Sequence, residues 1–151
     1  MYRGWIPHDE GTIAQSADRV LAGQLPHRDF DEVYTGGLTY LHAAGMKILG
    51  VTLRTPRRIL FAAFMAFLAA AYLVAARVTS RWMALFLMPA VTVWSVPNYF
   101  ASLPSWYNLF LATFGVLAFL RFLDSHRRVW LVAAGVAGGL SVLMKIVGVY
   151  Y

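Results

Sequence analysis

The sequence predicts an all-α polytopic membrane protein, with two interfacial amphipathic helices followed by about four transmembrane helices. Three observations predict this. Hydrophobic residues make up 60% of the 151-residue chain and charged residues only 13%, whereas a soluble domain of this size needs a polar face on most of its elements. Six of the seven acidic side chains fall between Asp9 and Glu32, and beyond Ile59 the chain is almost purely apolar. Lys and Arg gather at the ends of the apolar runs, so the net charge of +6 points to anionic lipid headgroups rather than to nucleic acid. The absence of cysteine excludes disulfides and thiolate metal sites.

The first helix is expected from Thr12. Thr12 and Gln15 have the spacing of a capping box, and Ile13, Ala17, Val20 and Leu21 recur on one face until Gly23 stops the helix. It is too polar to span and suits the headgroup layer, apolar stripe down. The segment 24–37 carries Pro26 and Gly36-Gly37 and reads as a loop. A second amphipathic helix follows, with Leu38, Leu41, Gly45, Ile48 and Leu49 near one face, ending at Gly50. Residues 1–58 thus form an acidic external loop with two helices, and 59–151 the membrane part.

Four apolar runs fill that part. The run 59–76 holds no charge and at ~1.5 Å per residue just crosses a hydrocarbon layer of ~30 Å. The others are 82–96, with Pro89 inside, 106–120 and 129–147. Four spans put residues 1–58, the loop 98–105 and the carboxyl end on one side. Arg77, Arg81, Arg121, Arg127 and Arg128 lie in the opposite loops, while 98–105 has no Lys or Arg, so the acidic segment faces outside. Arg54, Arg57 and Arg58 break this rule, and a basic cluster on the wrong side suggests a bound anion. An outer segment with no earlier span lacks a route across the membrane, and Val149-Tyr150-Tyr151 ends just past the fourth span. The chain is therefore expected to be a fragment of a longer protein.

The order Asp9-Glu10-Gly11, a helix ending in Gly23, Leu25-Pro26-His27-Arg28-Asp29-Phe30, Tyr34 with Gly36-Gly37, Ile48-Leu49-Gly50, then Arg57-Arg58 opening a span, resembles the first external loop of GT-C glycosyltransferases. Ala133-Ala134-Gly135 through Gly138-Gly139-Leu140 to Met144-Lys145 is similar to a small-residue helix ending in Lys in their core. The resemblance implies an integral enzyme of the inner or plasma membrane that takes a sugar from a polyprenyl-phosphate donor, as protein mannosyltransferases and aminoarabinose transferases do. The acceptor would be a lipid, glycan or protein. The family's core needs further spans, so the chain alone is expected to be inactive.

The resemblance also implies roles. Asp9 would be the catalytic carboxylate, taking the proton of the attacking acceptor hydroxyl. Glu10 would orient the site or acceptor, or hold a divalent metal with Asp9; without the resemblance, both acids read as favourable charges before a helix. Arg57 and Arg58 offer a fork to the lipid phosphate, and Lys145, an ionisable group near the end of a span, is a second phosphate contact or an interfacial anchor. Asp29 is a further substrate-binding candidate or a local loop residue. Many GT-C enzymes carry another acid in the second external loop, where 98–108 offers only Asn98, Ser102, Ser105 and Asn108 as small polar groups. His8 and His27 lack metal-ligand spacing, and Gly135, Gly138 and Gly139 read as close-packing positions. A non-enzymatic lipid-sugar transporter or a membrane scaffold is the alternative; it needs no base at Asp9.

Overall fold

A computed structural model describes residues 7–150; Tyr151 of the expected abrupt end lies outside them. The described residues form six α-helices and no strand. A π-helical turn, Pro7–Gly11, leads into α1, Thr12–Leu21; α2 is Gly37–Leu49, α3 Arg54–Val78, α4 Arg81–Trp94, α5 Pro104–Ser125 and α6 Arg128–Met144. A short 3-10 turn, Ile146–Tyr150, follows α6. α3 and α5, with 25 and 22 residues, are long and apolar enough to cross a membrane. α4 and α6 are shorter, with 14 and 17 residues.

Local sequence explains most boundaries. Gly23 takes φ +85° past the end of α1, a left-handed conformation that costs glycine little. Ser80 caps α4 by accepting from the Met83 amide at 3.2 Å, and Pro104 opens α5, where its missing N–H has no helical partner to lose. The capping box at Thr12 does not form. The Pro7–Gly11 turn already supplies the start of the helix, and the Thr12 hydroxyl donates back to the His8 carbonyl at 2.6 Å. α3 begins five residues before the uncharged run, so Arg54, Arg57 and Arg58 occupy its first two turns instead of a preceding loop. α6 ends at Met144, and Lys145 is extended just beyond it, not helical.

α3, α5 and α6 pack side by side, and α4 leans on α3. Phe64, Phe67 and Phe110 stack at their centre, with Leu60 and Tyr107. α1 and α2 pack on each other through Ala14, Ala17, Ala43 and Met46, with Val20 and Leu21 against them. Ile13 and Leu38 join this pair to the phenylalanine core, so the two short helices form a collar over one end of the bundle.

Two expected faces are corrected. α2 buries Leu38, Thr39, His42, Ala43 and Met46, while Ile48 is 81% exposed. Its inner face is turned roughly a quarter of a revolution from the Leu38–Leu41–Gly45–Ile48 stripe, because it must meet α1 and the bundle together. On α6, methyl groups built at Gly135, Gly138 and Gly139 would meet nothing within 4 Å, whereas Ala137 and Ser141 are buried. The close approach to α5 is at Ala137, which a methyl group added at Gly115 would meet at 3.7 Å, while Ser141 packs under Gly148 of the following turn.

Candidate functional site

The collar end of the bundle gathers the polar chemistry. The α3 amino terminus carries three arginines at the positive end of its own dipole, an arrangement that calls for an anion. Glu10 supplies one: its carboxylate accepts from Arg57 Nε at 2.5 Å and from a terminal guanidinium nitrogen at 2.6 Å. Arg57 also lies over the Phe100 ring at 4.5 Å. Glu10 and Arg57 are largely buried together, so this is a desolvated bidentate pair. Glu10 thus holds and orients Arg57 from within the chain.

Asp9, one residue earlier in the π turn, points elsewhere. Its Oδ2 accepts the Tyr99 hydroxyl, brought from the turn between α4 and α5. That bond to a carboxylate, more than any burial, holds the exposed Tyr99 phenol above its ordinary pKa. Trp106 Nε1 fixes the Tyr99 carbonyl at 3.0 Å. Asp9 faces a cleft of about 200 Å³ walled by His8, Thr12, Glu32, Tyr34 and Leu103 among others. Glu32 accepts from the Thr39 hydroxyl at 2.7 Å, and Tyr34 is pushed up by partial burial and then by Asp9 and Glu32. Lys145 Nζ lies 5.8 Å from the centre of the Tyr34 ring and donates to Ser105 at 3.4 Å.

A second cavity of about 320 Å³ adjoins Arg57. Its other walls, Leu60, Phe61, Phe64, Val96, Pro97 and Phe100, are apolar. The collar end therefore offers a carboxylate cleft and an arginine-headed apolar cavity, joined through the adjacent residues Asp9 and Glu10.

Compared with models of known families, with curated proteins and with solved structures, the chain finds no match. What it can do rests on its own geometry.

Of the residues singled out in the sequence, Asp9, Glu10, Arg57 and Lys145 come together at the collar end. Arg58 turns to the other flank of α3, where it lines a separate groove. Asp29 works within its own loop: it accepts from Arg28 at 2.8 and 2.9 Å and from the Leu25 amide at 2.8 Å, and the Arg28 bonds hold its carboxyl below the ordinary range. Both Glu10 oxygens accept from Arg57, while Asp9 turns to Tyr99.

Sequence reasoning missed Tyr99, Glu32 and Tyr34 as neighbours of Asp9, because nothing in spacing ties residue 9 to residue 99. It also gave His42 no role. His42 is fully buried, with Nε2 at 3.0 Å from the Ser102 hydroxyl and 3.3 Å from the Tyr107 hydroxyl. Ser102 and Tyr107 are 2.9 Å apart, and Ser102 also reaches the Pro56 carbonyl at 3.3 Å. This cluster pins the collar to α3 and α5. Burial lowers the His42 pKa to about 4, so the ring is neutral at pH 7.

Proposed function

We propose that the chain is part of a membrane glycosyltransferase of the GT-C kind, moving a sugar from a polyprenyl-phosphate donor to an acceptor hydroxyl at the outer face of the cell membrane. In this reading α3 to α6 are four spans, α1 and α2 are interfacial, and the acidic segment lies outside. The observation that carries it is the adjacency of the Asp9 cleft and the Arg57 cavity at one end of a long apolar helix. A lipid-phosphate sugar requires that combination: an apolar seat for its tail, a cation for its phosphate and a carboxylate for the acceptor.

The chemistry follows from the positions. The bond between the anomeric carbon and the phosphate oxygen breaks, and its electron pair leaves with the polyprenyl phosphate. The Arg57 guanidinium, oriented by Glu10, offsets the charge that develops there. The acceptor oxygen bonds to the anomeric carbon and gives its proton to Asp9. Tyr99 occupies Oδ2 of Asp9, which leaves Oδ1 for the proton. Lys145, on the far side of Tyr34, is a second cation for the donor phosphate. Asp29 supports the loop that carries Glu32 and Tyr34, and Arg58, on the other flank of α3, takes no part in the transfer.

The test is Asp9→Asn in the complete protein, in membranes supplied with polyprenyl-phosphate sugars carrying a radiolabel. Transfer of label should fall at least about a hundredfold, as for loss of a general base, with the amount of protein in the membrane unchanged. A variant that keeps its activity would remove Asp9 from the reaction; a wild type that transfers no label but moves the lipid-linked sugar, with or without Asp9→Asn, would be a lipid-sugar transporter, which needs no base.

A further inference from the structure

Arg58 follows Arg57 by one residue and so points about 100° away around α3. Helical spacing sets Arg57, Leu60, Phe61 and Phe64 on the flank of the Asp9 side, and Arg58, Ile59, Ala62 and Ala63 on the opposite one. On that opposite flank a groove of about 560 Å³ opens between α2, α3, α5 and α6. The small side chains of Ala62 and Ala63 leave the room, and Leu41, Leu49, Phe114 and Leu140 are among its walls. Leu41, half-buried against the core, and the exposed Leu49 bring α2 to this groove.

Three features define the occupant. The wall is apolar along the helices. Arg58 is exposed at the collar end and has no acidic partner among the described residues, whereas Arg28, Arg57 and Arg77 each hold a carboxylate. The amino terminus of α3 adds its own positive potential at the same point.

We propose that this groove binds an anionic membrane phospholipid, with an acyl chain along Ala62 and Ala63 and the phosphate on Arg58. The occupant is not the reacting lipid of the transferase reading. The groove shares no wall residue with the Asp9 cleft or the Arg57 cavity, so a headgroup on Arg58 sits on the wrong flank of α3 for transfer. The site therefore stands whether or not the protein transfers sugar.

The experiment is native mass spectrometry of the full chain, purified in detergent and given equal amounts of phosphatidylglycerol and phosphatidylcholine with identical chains. Wild type should retain the glycerol lipid about fivefold over the choline lipid, the preference expected of one basic residue at a membrane surface. Arg58→Gln should bring the ratio close to one, and Arg77→Gln, at the other end of α3, should leave it unchanged. Ala63→Leu, which fills the groove, should lower retention of both lipids. Equal retention by wild type, or a preference that survives Arg58→Gln, overturns the proposal. So does displacement of bound phosphatidylglycerol by an equal amount of undecaprenyl phosphate, which would put a donor-type lipid in the groove.

Discussion

Two bidentate arginine–carboxylate pairs hold the two ends of α3, Glu10 with Arg57 at the collar and Arg77 with Asp124 at the far end, each linking residues 47 apart in the chain. Their chemistry is the same and their surroundings are opposite. The Arg57 and Glu10 side chains are 13% and 6% exposed, those of Arg77 and Asp124 40% and 45%. An exposed pair can trade its partner for water at little cost. A buried pair cannot, because desolvation has already been suffered and bulk water cannot replace the lost contacts. The difference teaches that the collar end is committed to its polar contacts, while the far end merely has one.

The comparison breaks most easily at Arg57. Arg57→Ala should destabilise the protein by about 3 kcal/mol, seen as a lower denaturation midpoint in detergent, because it removes the two charge-assisted hydrogen bonds that Arg57 gives the buried Glu10 carboxylate. Replacing both with apolar residues, Glu10→Leu with Arg57→Met, should recover most of that loss. A double variant as unstable as the single one would show that the pair is needed for reasons other than burial.

His42 sharpens the same contrast by pH. Its folded pKa, about 4, lies below the unfolded value near 6.5, so the neutral ring contributes stability that is fully present above pH 6.5. That contribution is lost as pH falls toward 4, where the unfolded chain takes up a proton that the buried ring refuses. The loss should total roughly 3 kcal/mol across this window. His42→Gln should flatten the dependence, and a wild-type melting temperature that stays constant from pH 7 to 4 would contradict the burial argument.

The smallest effect belongs to the far end. Arg77→Gln should move the melting temperature little at low salt and not at all at 1 M salt, where exposed charges are screened. The Arg57 variant should remain destabilised under both conditions.

Much of the fold was legible in the sequence because hydrophobicity is a local signal. The apolar runs, the polar loop 24–37 and the stop at Gly23 all appear as composition within a few residues. Helix facing was less legible. α2 buries His42 and exposes Ile48 because it serves two partners at an angle, and a single-face pattern describes only one. The start of α3 was hidden by its arginines, which read as a loop until Glu10 is seen to neutralise one of them. For the candidate site, residue type pointed to Asp9, Glu10 and Arg57, and Glu10 and Arg57 pair at the collar end. Tyr99 was invisible because a phenol carries no spacing rule, and a turn without acids appeared to offer nothing to a carboxylate.

The end of α6 leaves one more consequence. The Thr35 hydroxyl reaches the Val142 and Leu143 carbonyls at 3.1 and 2.5 Å, and Gly37 lies so close to the Leu143 carbonyl that a methyl group there would overlap it. α6 is thus finished by a loop made more than a hundred residues earlier. Loops of that length close slowly, so the order of synthesis and the order of assembly run opposite ways: the loop around Thr35 is made before α6, yet it is expected to settle only once α6 has arrived to receive it.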